Sequence, residues 1–365
     1  MALAFTADQS GILPDRMVAA LSADGAVRAP AFAGDQIQPA SLDLRLGSVA
    51  YRVRASFLPG PRTTVAERIE GLLLHEMKLG EGAVLETGCV YIVPLLESLA
   101  LPPDVAAATN PKSSTGRLDV FTRVIADRAR AFDQIDASYS GPLYAEISPR
   151  TFPVLVREGS RLLQIRFRHG NVLLDSGALA ELHAREGLVN DTHADVGSGV
   201  AVSVDLVGAS GRIGYRAKRH TGVIDVDKRD GYDLGDFWEP LAAQVGRNLI
   251  LDPNEFYILA SKEAVQVPPG YAAEMVPFDP LVGEFRVHYA GFFDPGFGYS
   301  AAGGAGARAV LEVRSHDVPF ILEHGQIVGR LVYERMLAAP ERLYGQGIGS
   351  NYQAQGLKLS KHFRT

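Results

Sequence analysis

An internal repeat limits the possible folds of this 365-residue chain more than any other feature. The segment Pro102–Ala107 returns as Pro268–Ala273, and Glu146 returns as Glu312, with the same offset in residue number. Separate landmarks stay in phase in this way when a whole structural unit is duplicated. The sequence therefore predicts two copies of one domain.

Two further matches place small insertions within the repeat. Asp43 matches Asp205 at a slightly smaller offset, and Asp136 matches Asp294 at an offset that is smaller again. These matches predict a first domain over residues 1–170, a polar connector over 171–199, a second domain over 200–338 and a C-terminal arm over 339–365. For Asp43 and Asp205 themselves we favour a structural role, either capping a turn or holding neighbouring backbone.

The secondary-structure pattern is mostly β. Short runs rich in Val, Ile, Leu and Tyr recur between Gly and Pro, as expected for a barrel or sandwich with few helices. Helical spacing occurs at Met17–Leu21, Ala178–Arg185 and Phe237–Val245. The predicted strands are Leu42–Leu46, Val49–Val53, Val90–Leu95, Val154–Val156, Leu162–Phe167, Phe256–Leu259, Ala309–Val313, Phe320–Leu322 and Ile327–Tyr333.

Composition excludes several classes of protein. The net charge of −6 argues against broad binding to nucleic acid. A single cysteine rules out a disulfide framework and any zinc site that needs several thiolates. No apolar run reaches the roughly eighteen residues of a membrane span. We expect a soluble cytoplasmic protein with no membrane partner.

The loop Lys112–Arg117 concentrates phosphate-binding chemistry. Ser113 and Ser114 supply hydroxyl donors, and Lys112 and Arg117 supply cations, between Pro111 and an apolar run. A solvated turn is the alternative for a Ser-Ser pair considered alone. The polar residues that follow the loop, Asp136 and then Glu146, favour a functional interpretation.

Glu146 lies in the apolar segment Leu143–Ile147, ten residues after Asp136. Desolvation in such a segment favours the neutral form of a carboxyl group, whereas a nearby arginine favours the ionised form. For a lone glutamate, a solvent-facing position on a strand is the more common explanation. The position after Asp136 favours a general acid–base instead.

Taken in order, the segments Gln38–Gly47, Lys112–Arg117, Ile135–Glu146 and Gly159–Phe167 resemble the motifs of dCTP deaminases, which belong to the dUTPase-like superfamily. The resemblance covers most of the first half and recurs, altered, in the second half, as in the long duplicated bacterial form. It implies two tandem dUTPase-like distorted β-barrels with a few short helices, assembled as a homo-oligomer with sites between neighbouring barrels. It also implies hydrolysis of dCTP to dUTP and ammonia for deoxynucleotide biosynthesis.

The resemblance assigns roles to individual residues. Glu146 is the general base and acid, oriented with the water by Ser113 and Arg117. Asp136 accepts a hydrogen bond from the sugar 3′-hydroxyl. The resemblance assigns phosphate binding to Lys112, to Ser114 and to three residues of the C-terminal arm, namely Tyr352, Gln355 and Lys358.

The second copy departs from the family pattern in its loop. Asp279 and Pro280 replace the two serines, and Gly283 replaces Arg117. Its hairpin, which contains Ala290 and Asp294, nevertheless matches the nucleoside-binding hairpin of the family better than the first copy does. In one interpretation the copies are complementary and Glu312 is the working carboxylate. In the other, which we favour, the first copy keeps a whole site and the second is scaffold.

Three functions are compatible with these motifs. The leading one is zinc-independent deamination of dCTP, with Mg²⁺ carried by the triphosphate and no metal held by the protein. Zinc-dependent deamination needs a His/Cys/Cys set that one cysteine cannot supply. The alternatives are a dUTPase or bifunctional deaminase–pyrophosphatase, and a non-catalytic nucleotide-binding β-protein.

Overall fold

The computed structural model describes residues 9–191, 194–277, 285–288, 291–315, 317–346 and 352–364. Its elements confirm the prediction of a mainly β chain with few short helices. Contacts divide the chain into two units. Unit 1 comprises the chain up to Val172 with Gly222–Gly231 and Met336–Glu341, and unit 2 comprises Leu173–Thr221, Tyr232–Arg335 and the residues from Arg342 onward. The exact domain bounds drawn from the sequence stay predictions.

The described residues of unit 1 form three sheets and three helices. The sheets have the strand orders β1-β13-β8-β10 with β3 also on β13, β5-β4-β7-β11-β9 with β2 also on β7, and β16-β12-β6. The helices are α1 (Asp15–Ala23), α2 (Val65–Leu72) and α3 (Ser113–Gly116). The strands are β1 (Gly11–Ile12), β2 (Val27–Arg28), β3 (Leu42–Leu44), β4 (Val49–Val53), β5 (Leu73–Lys78), β6 (Ala83–Leu85), β7 (Val90–Ala100), β8 (Val105–Pro111), β9 (Val120–Ala126), β10 (Gln134–Ile135), β11 (Ser140–Pro149), β12 (Val154–Val156), β13 (Leu163–His169) and β16 (Ile224–Asp225).

Unit 2 also contains three sheets in the part of it that the structure describes. Their strand orders are β14-β25-β20-β22, β17-β15-β19-β23-β21 and β18-β24. The helices are α4 (Ser176–Glu186) and α5 (Leu234–Phe237), with a 3₁₀ turn at Ser300–Ala302. The strands are β14 (Val200–Ser203), β15 (Arg212–Ala217), β17 (Trp238–Ala242), β18 (Asn248–Leu251), β19 (Phe256–Val265), β20 (Tyr271–Pro277), β21 (Phe285–His288), β22 (Phe292–Phe293), β23 (Ala307–Ser315), β24 (Phe320–Glu323) and β25 (Ile327–Arg335).

Every predicted strand overlaps an observed one, because hydrophobic runs bounded by Gly and Pro mark strands well. The helices predicted at Met17–Leu21 and Ala178–Arg185 lie within α1 and α4. The helix predicted over Phe237–Val245 is wrong. Only Phe237 is helical there, and the residues after it form the edge strand β17. Pro240 explains the difference, because proline breaks a helix interior but is tolerated in an edge strand.

The central strands of the two units have the same register around their carboxylates. Glu146 on β11 pairs with Ile92 on β7, and Glu312 on β23 pairs with Ile258 on β19. The offset from Ile92 to Ile258 is the same as the offset from Glu146 to Glu312. Glu146 and Glu312 therefore occupy equivalent positions within their own units.

Sheet register also aligns the two aspartates that follow short strands. Ile135 pairs with Ala107, and Phe293 pairs with Ala273, which is the repeat counterpart of Ala107. Asp136 and Asp294 each come one residue later, so they are equivalent in the fold.

The match between Asp43 and Asp205 is wrong by four residues. The Gly47 N–H donates to the Pro94 carbonyl over 2.8 Å, and the Asp205 N–H donates to the Ala260 carbonyl over 3.0 Å. Ala260 is the repeat counterpart of Pro94, because the two are related by the same offset as Ile92 and Ile258. Asp205 therefore occupies the position of Gly47. A shift by an even number of residues keeps side chains on the same face of a strand, so the sequence pattern did not reveal it.

A segment from the second half of the sequence belongs to unit 1. Strand β16 pairs in parallel with β12, and the Arg157 guanidinium donates to both carboxylate oxygens of Asp225, over 2.8 and 2.9 Å. The Ser160 hydroxyl donates to Asp227 over 2.6 Å. Main-chain pairing and a two-point ion pair together hold residues 222–231 in place.

Candidate functional site

The carboxylate of Glu146 is buried, with 1% of the residue exposed. Across the sheet it faces Arg123 on β9, whose Nη2 and Nε donate to Glu146 Oε1 over 2.6 and 3.2 Å. In the part of the chain that the structure describes, Oε2 is buried and has no hydrogen-bond partner. Arg123 thus binds the carboxylate of Glu146, whereas the sequence analysis predicted that Ser113 and Arg117 orient it.

Arg123 is itself held by aromatic rings. Its guanidinium carbon lies 3.4 Å from the ring centre of Phe132 and 4.7 Å from that of Phe121. Nη2 also donates to the Ser56 hydroxyl over 3.0 Å. Cation–π contacts and two polar partners fix the guanidinium beside Glu146.

The sheet face that carries Glu146 is covered. Tyr144, two residues away on the same face, belongs to a hydrophobic cluster with Ile92 on the neighbouring strand. Val65 and Ile69 of α2 complete this cluster from above the sheet. The helix begins with a reciprocal capping box at Thr64, which is the signal by which the sequence analysis should have found it. Helix α2 therefore covers this face of the sheet.

Asp133 is a further acidic group next to this pair. Burial raises the pKa of Asp133 to about 6, and the charge of nearby Glu146 contributes to the rise. The hydrogen bonds of the carboxylate and the charge of Arg123 lower this pKa but do not cancel the effect of burial. The Asp133 carboxylate accepts from the Thr109 hydroxyl over 2.7 Å and from the Val124 N–H over 2.8 Å. No sequence motif marked Asp133, because its burial depends on the packing around it.

The serine–arginine loop is the single turn α3 between β8 and β9. Ser114 and Arg117 are buried and Ser113 is half-buried. The Thr115 hydroxyl donates to the Leu162 carbonyl over 2.9 Å and ties the turn to the chain just before β13. The loop is therefore a folded element rather than a solvated turn.

Lys112 binds Asp43, a contact that the sequence analysis did not predict. Its ammonium donates to Asp43 Oδ2, and Arg161 Nη1 lies 3.6 Å from the same oxygen. Asp43 thus holds side chains, not a turn, and its predicted capping role is wrong. The prediction is confirmed for Asp205, which accepts from the backbone N–H groups of Val207 and Gly208 over 2.9 and 3.1 Å.

Asp136 is exposed at the edge of a cavity of about 510 Å³ in unit 1. Asp127, Arg128, Ser138 and Tyr139 also line this cavity, whereas Glu146 does not. The two carboxylates that the sequence analysis assigned to one site are therefore not brought together at this cavity.

In unit 2, Asp294 and Glu312 are both buried, with 8% and 6% of each residue exposed. Glu312 faces His288 on β21 in the sheet register. The predicted hairpin residue Ala290 lies outside the described residues, as do Asp279, Pro280 and Gly283.

The C-terminal arm contacts the strand that carries Glu312. Gln355 exchanges hydrogen bonds with Arg308 of β23: the Arg308 N–H donates to the Gln355 carbonyl over 2.9 Å, and Gln355 Nε2 donates to the Arg308 carbonyl over 3.0 Å. Tyr352 is buried, and Lys358 Nζ lies 5.9 Å from its ring centre. Phosphate binding by these three residues stays a prediction.

Two negative findings concern the described residues alone. They contain no cluster of three or more His, Cys, Asp or Glu side chains arranged to hold a metal ion. None of their helices combines the length and apolar character that a membrane crossing requires.

Together, the fold and these residues define a mainly β protein of two units with equivalent buried carboxylates. Unit 1 also contains an ordered serine–arginine loop, and in unit 2 the C-terminal arm contacts the strand that carries Glu312. The family model for the N-terminal domain of 2′-deoxycytidine 5′-triphosphate deaminase matches residues 9–171, and the model for its C-terminal domain matches residues 175–363. The chain belongs to the dCTP deaminase family.

Relatives with known names agree with this family. A crystal structure of 2′-deoxycytidine 5′-triphosphate deaminase from Agrobacterium tumefaciens is 65% identical, with a TM-score of 0.87, covering 90% of this chain and 99% of that one. A dCTP deaminase of Halorubrum lacusprofundi is 31% identical over 36% of this chain and 63% of its own length. A Coprothermobacter proteolyticus protein named "dCTP deaminase, dUMP-forming" is 27% identical over 48% of this chain and 92% of its own length. The match spans 63–66% of the length of the first four curated relatives.

Proposed function

We propose that this protein hydrolyses the 4-amino group of dCTP and releases dUTP and ammonia. The observation that carries the proposal is the match of both deaminase domain models, which together extend over residues 9–171 and 175–363. The ordered serine–arginine loop and the buried strand carboxylates in the described residues support it.

A single carboxylate can perform the proton transfers of this reaction. Water must lose a proton before it attacks C4, the ring nitrogen must gain one, and the amino group must leave as ammonia. A positioned carboxylate that accepts the first proton and returns it supplies this general acid–base catalysis. Glu146 and Glu312 are the candidates, and neither needs zinc for this role.

The other site residues keep the roles that the family resemblance implies. In this proposal Ser113 and Arg117 orient the carboxylate and the water, and Asp136 or Asp294 accepts from the sugar 3′-hydroxyl. The hairpin that contains Ala290 keeps its predicted role in binding the nucleoside. The triphosphate enters with its own Mg²⁺ and meets cationic, hydroxyl and amide groups, namely Lys112, Ser114, Tyr352, Gln355 and Lys358.

We also propose that the two units arose by duplication and that each is a distorted barrel of the dUTPase-like type. The equal registers around Glu146 and Glu312 support a duplication. A homo-oligomer is part of the same proposal.

A second candidate function is the bifunctional reaction that continues from dCTP to dUMP. The name of the Coprothermobacter relative, which is matched over 92% of its length, favours including it. This reaction needs a second water directed at the α-phosphate, whereas deamination alone does not.

Product analysis tests the proposal. Purified protein is incubated with dCTP and MgCl₂, ammonia is measured by a coupled assay, and nucleotides are separated by ion-exchange chromatography. Equal amounts of ammonia and dUTP support the deaminase. Equal amounts of ammonia, dUMP and pyrophosphate support the bifunctional enzyme, and tight dCTP binding without ammonia contradicts both.

A serine variant links the activity to the loop. We expect Ser113→Ala to lower kcat by about a hundredfold, the loss typical for one orienting donor in a reaction site. Ser22→Ala on α1 is the matched control, because it removes a hydroxyl that donates to the Val18 carbonyl outside the site. A loss in Ser113→Ala no larger than in the control would contradict the assigned role.

A further inference from the structure

The pair of strands β6 and β12 in unit 1 has the same register as the pair β18 and β24 in unit 2. Val154 pairs with Leu85 in the first pair, and Phe320 pairs with Leu251 in the second. Both residues in unit 2 follow those in unit 1 by the offset that runs through most of the repeat. Strand β24 is therefore the counterpart of β12.

In unit 1 a third strand covers the outer edge of β12. Strand β16 lies parallel to it, and the Val226 N–H donates to the Leu155 carbonyl over 3.2 Å. The Ile224 N–H donates to the carbonyl of Pro153, just before β12, over 3.0 Å. The main-chain groups on this edge of β12 thus pair with an extended segment.

In unit 2 the same edge of β24 is open. Among the described residues, β24 pairs with β18 alone. Ile321, the counterpart of Leu155, is 56% exposed, and its cross-strand partner Ile250 is 54% exposed. Val318, just before β24, is 48% exposed. An open strand edge beside exposed apolar side chains is suited to pairing with another chain.

The charges beside the two edges are opposite. In unit 1, two N–H groups of Arg157 bind the carboxylate of Asp225 over 2.8 and 2.9 Å. The counterpart of Arg157 is Glu323, which is exposed and forms no ion pair with the described residues. The turn that follows is alike in both units, because the Arg157 N–H donates to Ser160 Oγ over 2.9 Å and the Glu323 N–H donates to Gln326 Oε1 over 3.1 Å. Glu323 therefore presents a negative charge where unit 1 presents a positive one.

From these observations we propose that the open edge of β24 binds an extended basic segment of a partner protein, which adds to the sheet as a parallel strand. The segment places an arginine or lysine across from Ile321 and beside Glu323, as unit 1 places Asp225 across from Leu155. Asp317, exposed just before β24, adds a second negative charge. Residues 222–227 of a second copy are disfavoured there, because their aspartates would lie against Glu323. This interaction surface does not depend on the deaminase function.

Two peptides with the same backbone length test the proposal. One has the sequence of residues 221–228, and the other carries Asp225→Arg and Asp227→Arg in that sequence. Both have blocked ends and a fluorophore, and fluorescence anisotropy measures their binding to the intact chain at low salt. We expect the basic peptide to bind at least about tenfold more tightly than the acidic one. Equal binding of the two, or no binding of the basic peptide at millimolar concentration, would overturn the proposal.

A charge reversal on the protein locates the site. In Glu323→Arg we expect the preference to reverse, so that the acidic peptide binds at least about tenfold more tightly than the basic one. Glu181→Arg is the matched control, because it makes the same change in net charge at an exposed position on α4. Circular dichroism checks that both variants are folded. A preference that Glu323→Arg leaves unchanged, or that Glu181→Arg also reverses, would overturn the assignment to β24.

A methyl group on one peptide nitrogen tests main-chain pairing without any change to the protein. It replaces the N–H at position 226 of the basic peptide, which in unit 1 donates to the Leu155 carbonyl. We expect this peptide to bind at least about tenfold more weakly, and unchanged binding would overturn the added strand. Sedimentation velocity tests the other occupant, a second copy. If Glu323→Arg dissociates an oligomer and no peptide binds the wild type, self-association replaces the proposal.

Discussion

Replacing Asp133 with asparagine should make unit 1 more stable at neutral pH. Burial raises the pKa of this carboxyl group from 3.8 to about 6, so the folded protein binds a proton that the unfolded chain releases. Stability contributed by this group is therefore present below pH 3.8 and lost as the pH rises through 6. A shift of this size corresponds to about 3 kcal/mol, because each pKa unit is worth about 1.4 kcal/mol.

Asparagine imitates the protonated carboxyl group and still offers an oxygen to the Thr109 hydroxyl and the Val124 N–H. It also tolerates the backbone at this position, where φ is +61°. We expect Asp133→Asn to exceed the wild type by up to about 3 kcal/mol at pH 7.5 and to equal it near pH 4.

Urea unfolding followed by far-UV circular dichroism at a series of pH values measures this difference. Asp35→Asn is the contrasting control: the hydrogen bond from Arg161 lowers the pKa of this 78% exposed side chain, so its small contribution to stability is lost as the pH falls and not as the pH rises. A stability difference between Asp133→Asn and the wild type that does not change with pH would refute the reasoning. Only titration of the buried Asp133 carboxyl group makes that difference depend on pH.

Four further substitutions test a helix cap, two glycine turns and an ion pair. Thr64→Ala should cost about 1 kcal/mol in a thermal melt, because it removes the capping box of α2, whereas Thr64→Ser should not. Gly325→Ala should cost about 1 kcal/mol, because φ is +82° in open space, and Gly298→Ala should cost well over that in the same urea assay, because its new Cβ would clash with the Val265 carbonyl oxygen. Arg157→Lys should lose the two-point contact with Asp225 and speed proteolysis of that segment up to about fivefold, a change visible by mass spectrometry against wild-type protein.

Local pattern predicted nine of the observed strands but not others, such as β5 and β8, and it failed for some helices. The predicted bounds of Val49–Val53 and Val154–Val156 agree with the structure to the residue, because hydrophobic runs between turn residues depend only on nearby sequence. The same approach missed α2, since its capping box was not weighed, and it placed a helix across Pro240. These errors concern local signals that are readable in principle.

Aligning the two copies by sequence alone is limited in a different way. The matches at Glu146 and Asp136 agree with the sheet register, whereas Asp205 lies where Gly47 does. Similar alternating segments fit a strand equally well at shifts of two or four residues. Only the hydrogen bonds between strands distinguish these shifts, and those bonds depend on chain segments that are distant in the sequence.

The sequence by itself determined the strand-rich character of this chain, its repeat and the family to which it belongs, since each depends on residue types and their order. Tertiary structure decided which residue binds Glu146 and how deeply that carboxylate is buried. Arg123 lies 23 positions before Glu146 in the chain and becomes its partner only because β9 and β11 pair in one antiparallel register. Helix α2 and Phe132 then cover that ion pair, and no spacing of residues along the chain encodes this arrangement.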